Sequence, residues 1–185
     1  GRAGVYYHLS YLGVPHSYLW FSTTPPALMY EELRKAYDTT ADCIWLANCG
    51  DLKGSEVQVS FFLDMAYDIE QFNEKNVHTY PARWLAKMFG EQYYNTLEDI
   101  TCSHINLAFS RKPEYMGWGY WNNYWGGGEK RTDTEFSFTN YEEAGKRLAE
   151  YRRIGKKAED MLVTLEEAAR PALYQLLYYP VKGAE

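Results

Sequence analysis

The 185-residue chain carries 18 Tyr, 8 Phe and 6 Trp and a formal charge of −6, a composition too aromatic for disorder and too acidic for a nucleic-acid footprint, which needs a basic face. Cys43, Cys49 and Cys102 are odd in number and form no C-x-x-C pair, so neither a disulfide framework nor a zinc knuckle is encoded, and the compartment stays open. Residues 3–30 hold no formal charge but are broken by His8, His16, three prolines and several hydroxyls, and the chain has no run of about 18 apolar residues that would cross a bilayer. It opens Gly-Arg-Ala-Gly, with no signal-peptide pattern, and reads as a segment of something longer.

Gly4-Val5-Tyr6-Tyr7-His8 is rich in β-formers and leads into a loop that reaches Thr24. Thr24-Pro25-Pro26 supplies an N-cap and a first-turn proline ahead of Leu28, Met29, Leu33, Ala36 and Tyr37 at helical spacing. Cys43-Ile44-Trp45-Leu46-Ala47 is apolar throughout, the pattern of a strand covered on both faces. After the 48–54 loop, Ser55-x-x-Gln58 predicts a capping box before Phe61, Phe62 and Met65. Strand, helix, strand, helix is a βαβα unit, the building block of α/β sheets and (β/α)8 barrels. A whole barrel takes about 250 residues, so only a piece of one fits here.

From about residue 78 the periodicity is helical only. Tyr80, Trp84, Leu85, Met88 and Phe89 form one stripe up to Gly90, and Tyr93, Leu97, Ile100, His104 and Leu107 form a second. Residues 111–139 lose periodicity and hold an aromatic, glycine-rich loop at 116–125. Asn140-x-x-Glu143 predicts a capping box for a long helix, and Pro171 opens a last helix expected to stop at Pro180.

In parallel α/β architectures reactive groups sit in the loops at the strands' carboxyl ends. Those loops are 8–11 and 48–53, and neighbouring strands lie about 5 Å apart, which would bring both loops to one pocket. The candidates are His8, Tyr11, Asn48, Asp51, Lys53 and Glu56. Each also has a structural reading: a hydrogen-bonded strand-end histidine for His8, Asx-turn scaffolding for Asp51, a helix-dipole partner for Glu56, a solvated cation for Lys53. His104, on an apolar stripe, reads as a core histidine. The 118–125 aromatics would suit either sugar stacking or an interface.

Several motifs together resemble glycoside hydrolase family 115, the xylan α-glucuronidases. They are Tyr6-Tyr7-His8-Leu9-Ser10-Tyr11-Leu12-Gly13 with Pro15, Ser17-Tyr18-Leu19-Trp20 and Thr23-Thr24-Pro25; Ala41-Asp42-x-Ile44-Trp45 leading to Asn48-x-Gly50-Asp51-x-Lys53; Glu56 and Phe61-Phe62-Leu63-Asp64; Arg111-Lys112-Pro113-Glu114; and Tyr179-Pro180-Val181-Lys182. The chain departs from the pattern at Cys43, Cys49 and Gly54, where arginine, valine and proline are expected.

The resemblance implies an α/β then all-α chain: the C-terminal part of a (β/α)8 barrel over residues 1–75, then a helical bundle over 76–185. It implies hydrolytic release, with inversion, of (4-O-methyl)glucuronic acid α-1,2-linked to xylan, with no metal or organic cofactor. It also implies a secreted or periplasmic homodimer that acts on glucuronoxylan or its oligosaccharides and binds neither nucleic acid nor membrane. By motif position His8, Tyr11, Asn48 and Lys53 hold the substrate and Asp51 orients a binding residue. The catalytic carboxylates are expected in a barrel segment upstream of this chain. A carbohydrate-binding module built on the 116–125 loop, without hydrolysis, is the alternative, and a different (β/α)8 glycosidase is a third reading.

Overall fold

In the computed structural model residues 1–10, 17–116 and 135–185 are described. The candidate Tyr11, and the aromatic loop beyond Met116, lie outside them.

Strand β1 (Gly4–His8) and strand β2 (Ile44–Asn48) pair in parallel, with helix α1 (Pro26–Asp38) as the crossover. The ladder is prolonged at its carboxyl end by Leu9, whose N–H donates to the Asn48 carbonyl at 2.8 Å. Alternation along a strand gives the pair two chemically distinct faces. Val5, Tyr7, Trp45 and Ala47 pack on the core formed by Met29 and Leu33 of α1 and Phe61, Phe62 and Met65 of α2 (Glu56–Tyr67). The ring of Phe62 meets Trp45 at 5.7 Å and Tyr7 at 6.2 Å between centroids. The opposite face, with Tyr6 58%, Ile44 67% and Leu46 58% exposed, is uncovered in this chain. Within this chain only one face of the strand predicted to be buried on both is covered, because α1 and α2 pack on the same side, and the strand itself begins at Ile44, after an exposed Cys43.

Every other regular element among the described residues is helical: α3 (Tyr80–Phe89), α4 (Tyr94–Ser110), α5 (Glu143–Thr164), α6 (Arg170–Leu173) and α7 (Tyr179–Ala184), with short 3-10 turns between them. Gly90 ends α3 as expected, at φ 120°, a backbone angle that a residue with a Cβ rarely adopts. The predicted α4 stripe is buried at Leu97, Ile100 and His104; that of α3 is buried at Tyr80, Leu85 and Phe89 but not at Met88, 48% exposed; and α5 buries Tyr151, Ile154, Ala158 and Met161. One hydrophobic cluster runs from Leu9 through α1–α5 to Val181, so the sheet and the helices share a core.

Four local expectations fail for identifiable reasons. Thr24 does not cap α1, because its hydroxyl donates to the Leu9 carbonyl at 2.9 Å and Pro25 takes the cap position. Neither predicted capping box forms: Ser55 makes no side-chain cap, and Glu143 is drawn into a two-toothed pair with Arg111. Pro180 does not stop the last helix. Residues Tyr174–Tyr178 form a π-turn, and the helical backbone continues through Pro180 to Ala184.

Candidate functional site

The parallel register places His8 opposite Asn48 at the carboxyl ends of the two strands. Alternation puts both on the face away from α1 and α2, together with Tyr6 two residues before His8. The Asn48 amide nitrogen donates to the Tyr6 hydroxyl at 2.8 Å, and the Tyr6 and His8 rings are 4.8 Å apart. An imidazole, a carboxamide and a phenol are thus gathered on one patch. Each offers hydrogen bonds to a polar ligand.

The following loops are tied to each other. The Gly50 N–H donates to the Ser10 hydroxyl at 3.1 Å, bridging the loop after β2 to the loop after β1. Asp51 lines two clefts, one with Ser10, Tyr18 and Trp20, the other with Phe21, Lys53, Gln175 and Tyr179. The structure therefore brings His8 and Asn48 together, sets Asp51 on the rim between the clefts, and groups Lys53 with the C-terminal helix. Glu56 acts within the scaffold: its carboxylate accepts from the Gly54 N–H at 2.6 Å and from the Gln175 amide at 3.3 Å.

The 17–22 segment is held from a distance. One oxygen of Glu114 accepts from the backbone N–H groups of both Leu19 and Trp20, the latter at 2.8 Å. The Lys112 ammonium sits 4.3 Å from the centre of the Tyr18 ring, a cation–π contact. Tyr18 and Ser22 both sit at φ 57°, in the left-handed region that non-glycine residues seldom occupy. The Arg111-Lys112-Pro113-Glu114 motif is thus a clamp on the loop leaving β1.

His104, 3% exposed on α4, holds the same loop from below. Its Nε2 is 3.0 Å from the Phe21 carbonyl oxygen, and a carbonyl can only accept, so the ring carries its proton on Nε2. Burial, reinforced by the positive charge of Arg147 and opposed by the Phe21 hydrogen bond, pushes its pKa down to about 4, which keeps it neutral.

Sequence reasoning missed Tyr6 and the Glu114 clamp. Tyr6 was findable, because residues i and i−2 of a strand share a face. The clamp was not, since it joins residues 95 positions apart.

Comparison with known proteins follows the same lines. The profile of glycosyl hydrolase family 115 matches residues 1–115. Among solved structures, BtGH115A, described as a family GH115 4-O-methyl-α-glucuronidase with specificity for decorated arabinogalactans, is similar at 31% identity and TM-score 0.81, covering 98% of this chain. The chain spans 24% of that protein's length. Comparison with curated proteins gives no significant match.

Proposed function

The chain belongs to glycosyl hydrolase family 115, and from that premise we propose that it supplies the His8–Asn48 wall of a sugar pocket in a glycoside hydrolase releasing glucuronic acid, or its 4-O-methyl ether, from a decorated glycan. The observation that carries the reading is the placement of His8 and Asn48: strand carboxyl ends, side by side, on the face opposite the helices. In a (β/α)8 barrel that face is the barrel interior, and its carboxyl end is where substrates bind. β1 and β2 are accordingly proposed as two adjacent staves of such a barrel, with the remaining helices as the start of a helical bundle.

His8, Asn48 and, by motif position, Tyr11 hold the uronic acid through hydrogen bonds to its hydroxyls and carboxylate. Bonds to the carboxylate are the stronger class, because the acceptor is charged. Asp51 orients the rim. An inverting hydrolysis needs one carboxylic acid to protonate the leaving oxygen and one carboxylate to activate water, about 6.5–9.5 Å apart. We assign these two groups to parts of the enzyme beyond the 185 residues, which span a quarter of the solved relative's length. An α-1,2 linkage, a secreted or periplasmic location and a homodimer are part of the same proposal.

Two main chains are in contention. The motif resemblance favours glucuronoxylan, and the solved relative's description favours decorated arabinogalactan. Incubating the full-length enzyme, which carries the two carboxylates as well as these 185 residues, with each polymer and measuring released uronic acid separates them. Release from neither would end the hydrolase reading.

A further inference from the structure

The cleft grouped around Lys53 has a volume of about 680 Å³ and draws its walls from three parts of the chain. Phe21 comes from the loop after β1, Asp51 and Lys53 from the loop after β2, and Gln175 and Tyr179 from the C-terminal helix.

These walls are fixed before any ligand arrives. Tyr179 packs against Phe21 at 5.9 Å and Trp20 at 6.1 Å between ring centroids, while the Trp20 indole N–H donates to the Pro180 carbonyl at 2.8 Å. Phe21 is in turn held by His104, and the Gln175 amide by Glu56. Even so, Tyr179 remains 43% exposed, leaving part of its ring available. The π-turn Tyr174–Tyr178 lies at this wall and contains Gln175. Such turns are rare interruptions of an α-helix and recur at functional sites, because the widened turn re-aims side chains.

The lining chemistry selects a ligand. A half-exposed aromatic face suits a flat apolar surface, and an ammonium, a carboxylate and a carboxamide at its margin suit hydroxyl groups. Lys53 and Asp51 carry opposite charges, so the cleft has no net pull on an anion. A neutral pyranose, with C–H faces and a rim of hydroxyls, meets both demands. The location fits as well. Asp51 follows Asn48 by three residues, at most about 11 Å of extended chain, and Gly50 is bonded to Ser10, two residues beyond His8.

We infer that this cleft binds a neutral pyranose of the glycan main chain, next to the uronic acid held by His8 and Asn48. The inference deepens the uronic-acid reading and rests on it for the identity of the neighbouring sugar. Lys53 then serves the main chain, not the uronate carboxylate.

Calorimetric titration of the protein with xylotetraose, with galactotetraose and, separately, with glucuronic acid tests this. Tyr179→Ala is expected to weaken the neutral oligosaccharide about tenfold, the worth of one well-stacked ring, and to leave glucuronic acid unchanged. Lys53→Met, in an exposed loop away from the core, should weaken the same ligand without affecting the fold. Asn48→Ala should give the opposite pattern. The inference is overturned if neither neutral oligosaccharide binds the wild-type protein, or if the one that binds is indifferent to both Tyr179→Ala and Lys53→Met. Oligosaccharide binding that responds to Tyr179→Ala, with no binding of glucuronic acid, would instead sink the uronic-acid reading and support the cleft.

Discussion

Asn48 stands opposite His8 in the parallel ladder, and its amide nitrogen is anchored 2.8 Å from the Tyr6 hydroxyl. The anchor spends one of the two amide protons and leaves the second, with the carbonyl oxygen, to meet a ligand. Asn48 is thus oriented by a residue that touches no proposed substrate atom. Removing it should cost more than removing its anchor. In the full-length enzyme Asn48→Ala is expected to lower kcat/KM on a glucuronidated glycan by about 10- to 100-fold, the range for hydrogen bonds to a charged partner. Tyr6→Phe, which only frees the amide to rotate, should cost about 2- to 10-fold, the range for a neutral bond. Equal losses in the two variants would mean that Tyr6 itself contacts the sugar.

His104 makes acid stability a test of the scaffold. Its folded pKa lies near 4, because burial disfavours the charged ring, whereas the unfolded value is about 6.5. The unfolded chain therefore binds the proton more readily over that interval. The contribution of this residue is fully present above about pH 6.5 and falls as the pH drops toward 4, by a total on the order of 3 kcal/mol. Urea midpoints of the wild type and His104→Gln, measured from pH 4 to 7, should converge as the pH falls, since glutamine keeps a donor for the Phe21 carbonyl but does not titrate. A constant difference across that range would show that His104 is not the group responsible.

Much of the architecture was readable because it rests on periodicity. The two strands, the α3 stop at Gly90 and the apolar stripe of α4 follow from patterns of two and of 3.6 residues. The misreadings share a cause: a local signal was outbid by a distant partner. Thr24 has the chemistry of a cap, but the carbonyl of Leu9 takes its hydroxyl. Glu143 has the position of a capping-box residue, but Arg111 takes its carboxylate. The cleft that Lys53 lines was invisible for a similar reason: beside its own loop it takes Phe21 from upstream and Gln175 and Tyr179 from the C-terminal helix. Topology predicted the His8–Asn48 pair, because a parallel ladder sets the carboxyl ends of neighbouring strands side by side. No such rule covers contacts made across a helical core.

Glu114 supplies a test of the long-range clamp. Its one oxygen serves two backbone N–H groups, at Leu19 and Trp20, in a half-buried setting. Glu114→Ala leaves both donors without an acceptor and should destabilise the protein by about 2–3 kcal/mol, read as a shift of the urea midpoint. Glu114→Gln keeps an oxygen in place and should cost about half as much. The alanine variant should also weaken main-chain oligosaccharides, because the clamped segment carries Trp20 and Phe21 into the cleft walls. Normal stability in Glu114→Ala would show that the loop is held by other contacts.

Position 54 gives the sharpest contrast between family pattern and physical setting. The resemblance leads one to expect proline after Lys53, and substitution toward a family's usual residue commonly stabilises a protein. Here the opposite is expected. Gly54 sits at φ 85°, which proline, fixed near −65°, cannot reach, and its N–H donates to Glu56 at 2.6 Å, a bond that proline lacks. A Cβ at this position would fall 2.6 Å from Cδ1 of Phe21, so even alanine must displace that ring. Gly54→Pro should therefore cost at least about 3 kcal/mol and Gly54→Ala about 1–2 kcal/mol in urea unfolding. Both should weaken xylotetraose or galactotetraose more than glucuronic acid, since Phe21 lines the Lys53 cleft and not the His8–Asn48 patch. A Gly54→Pro protein as stable as the wild type would mean that the loop after β2 adopts a different course, one in which Lys53 and Phe21 need not share a cleft.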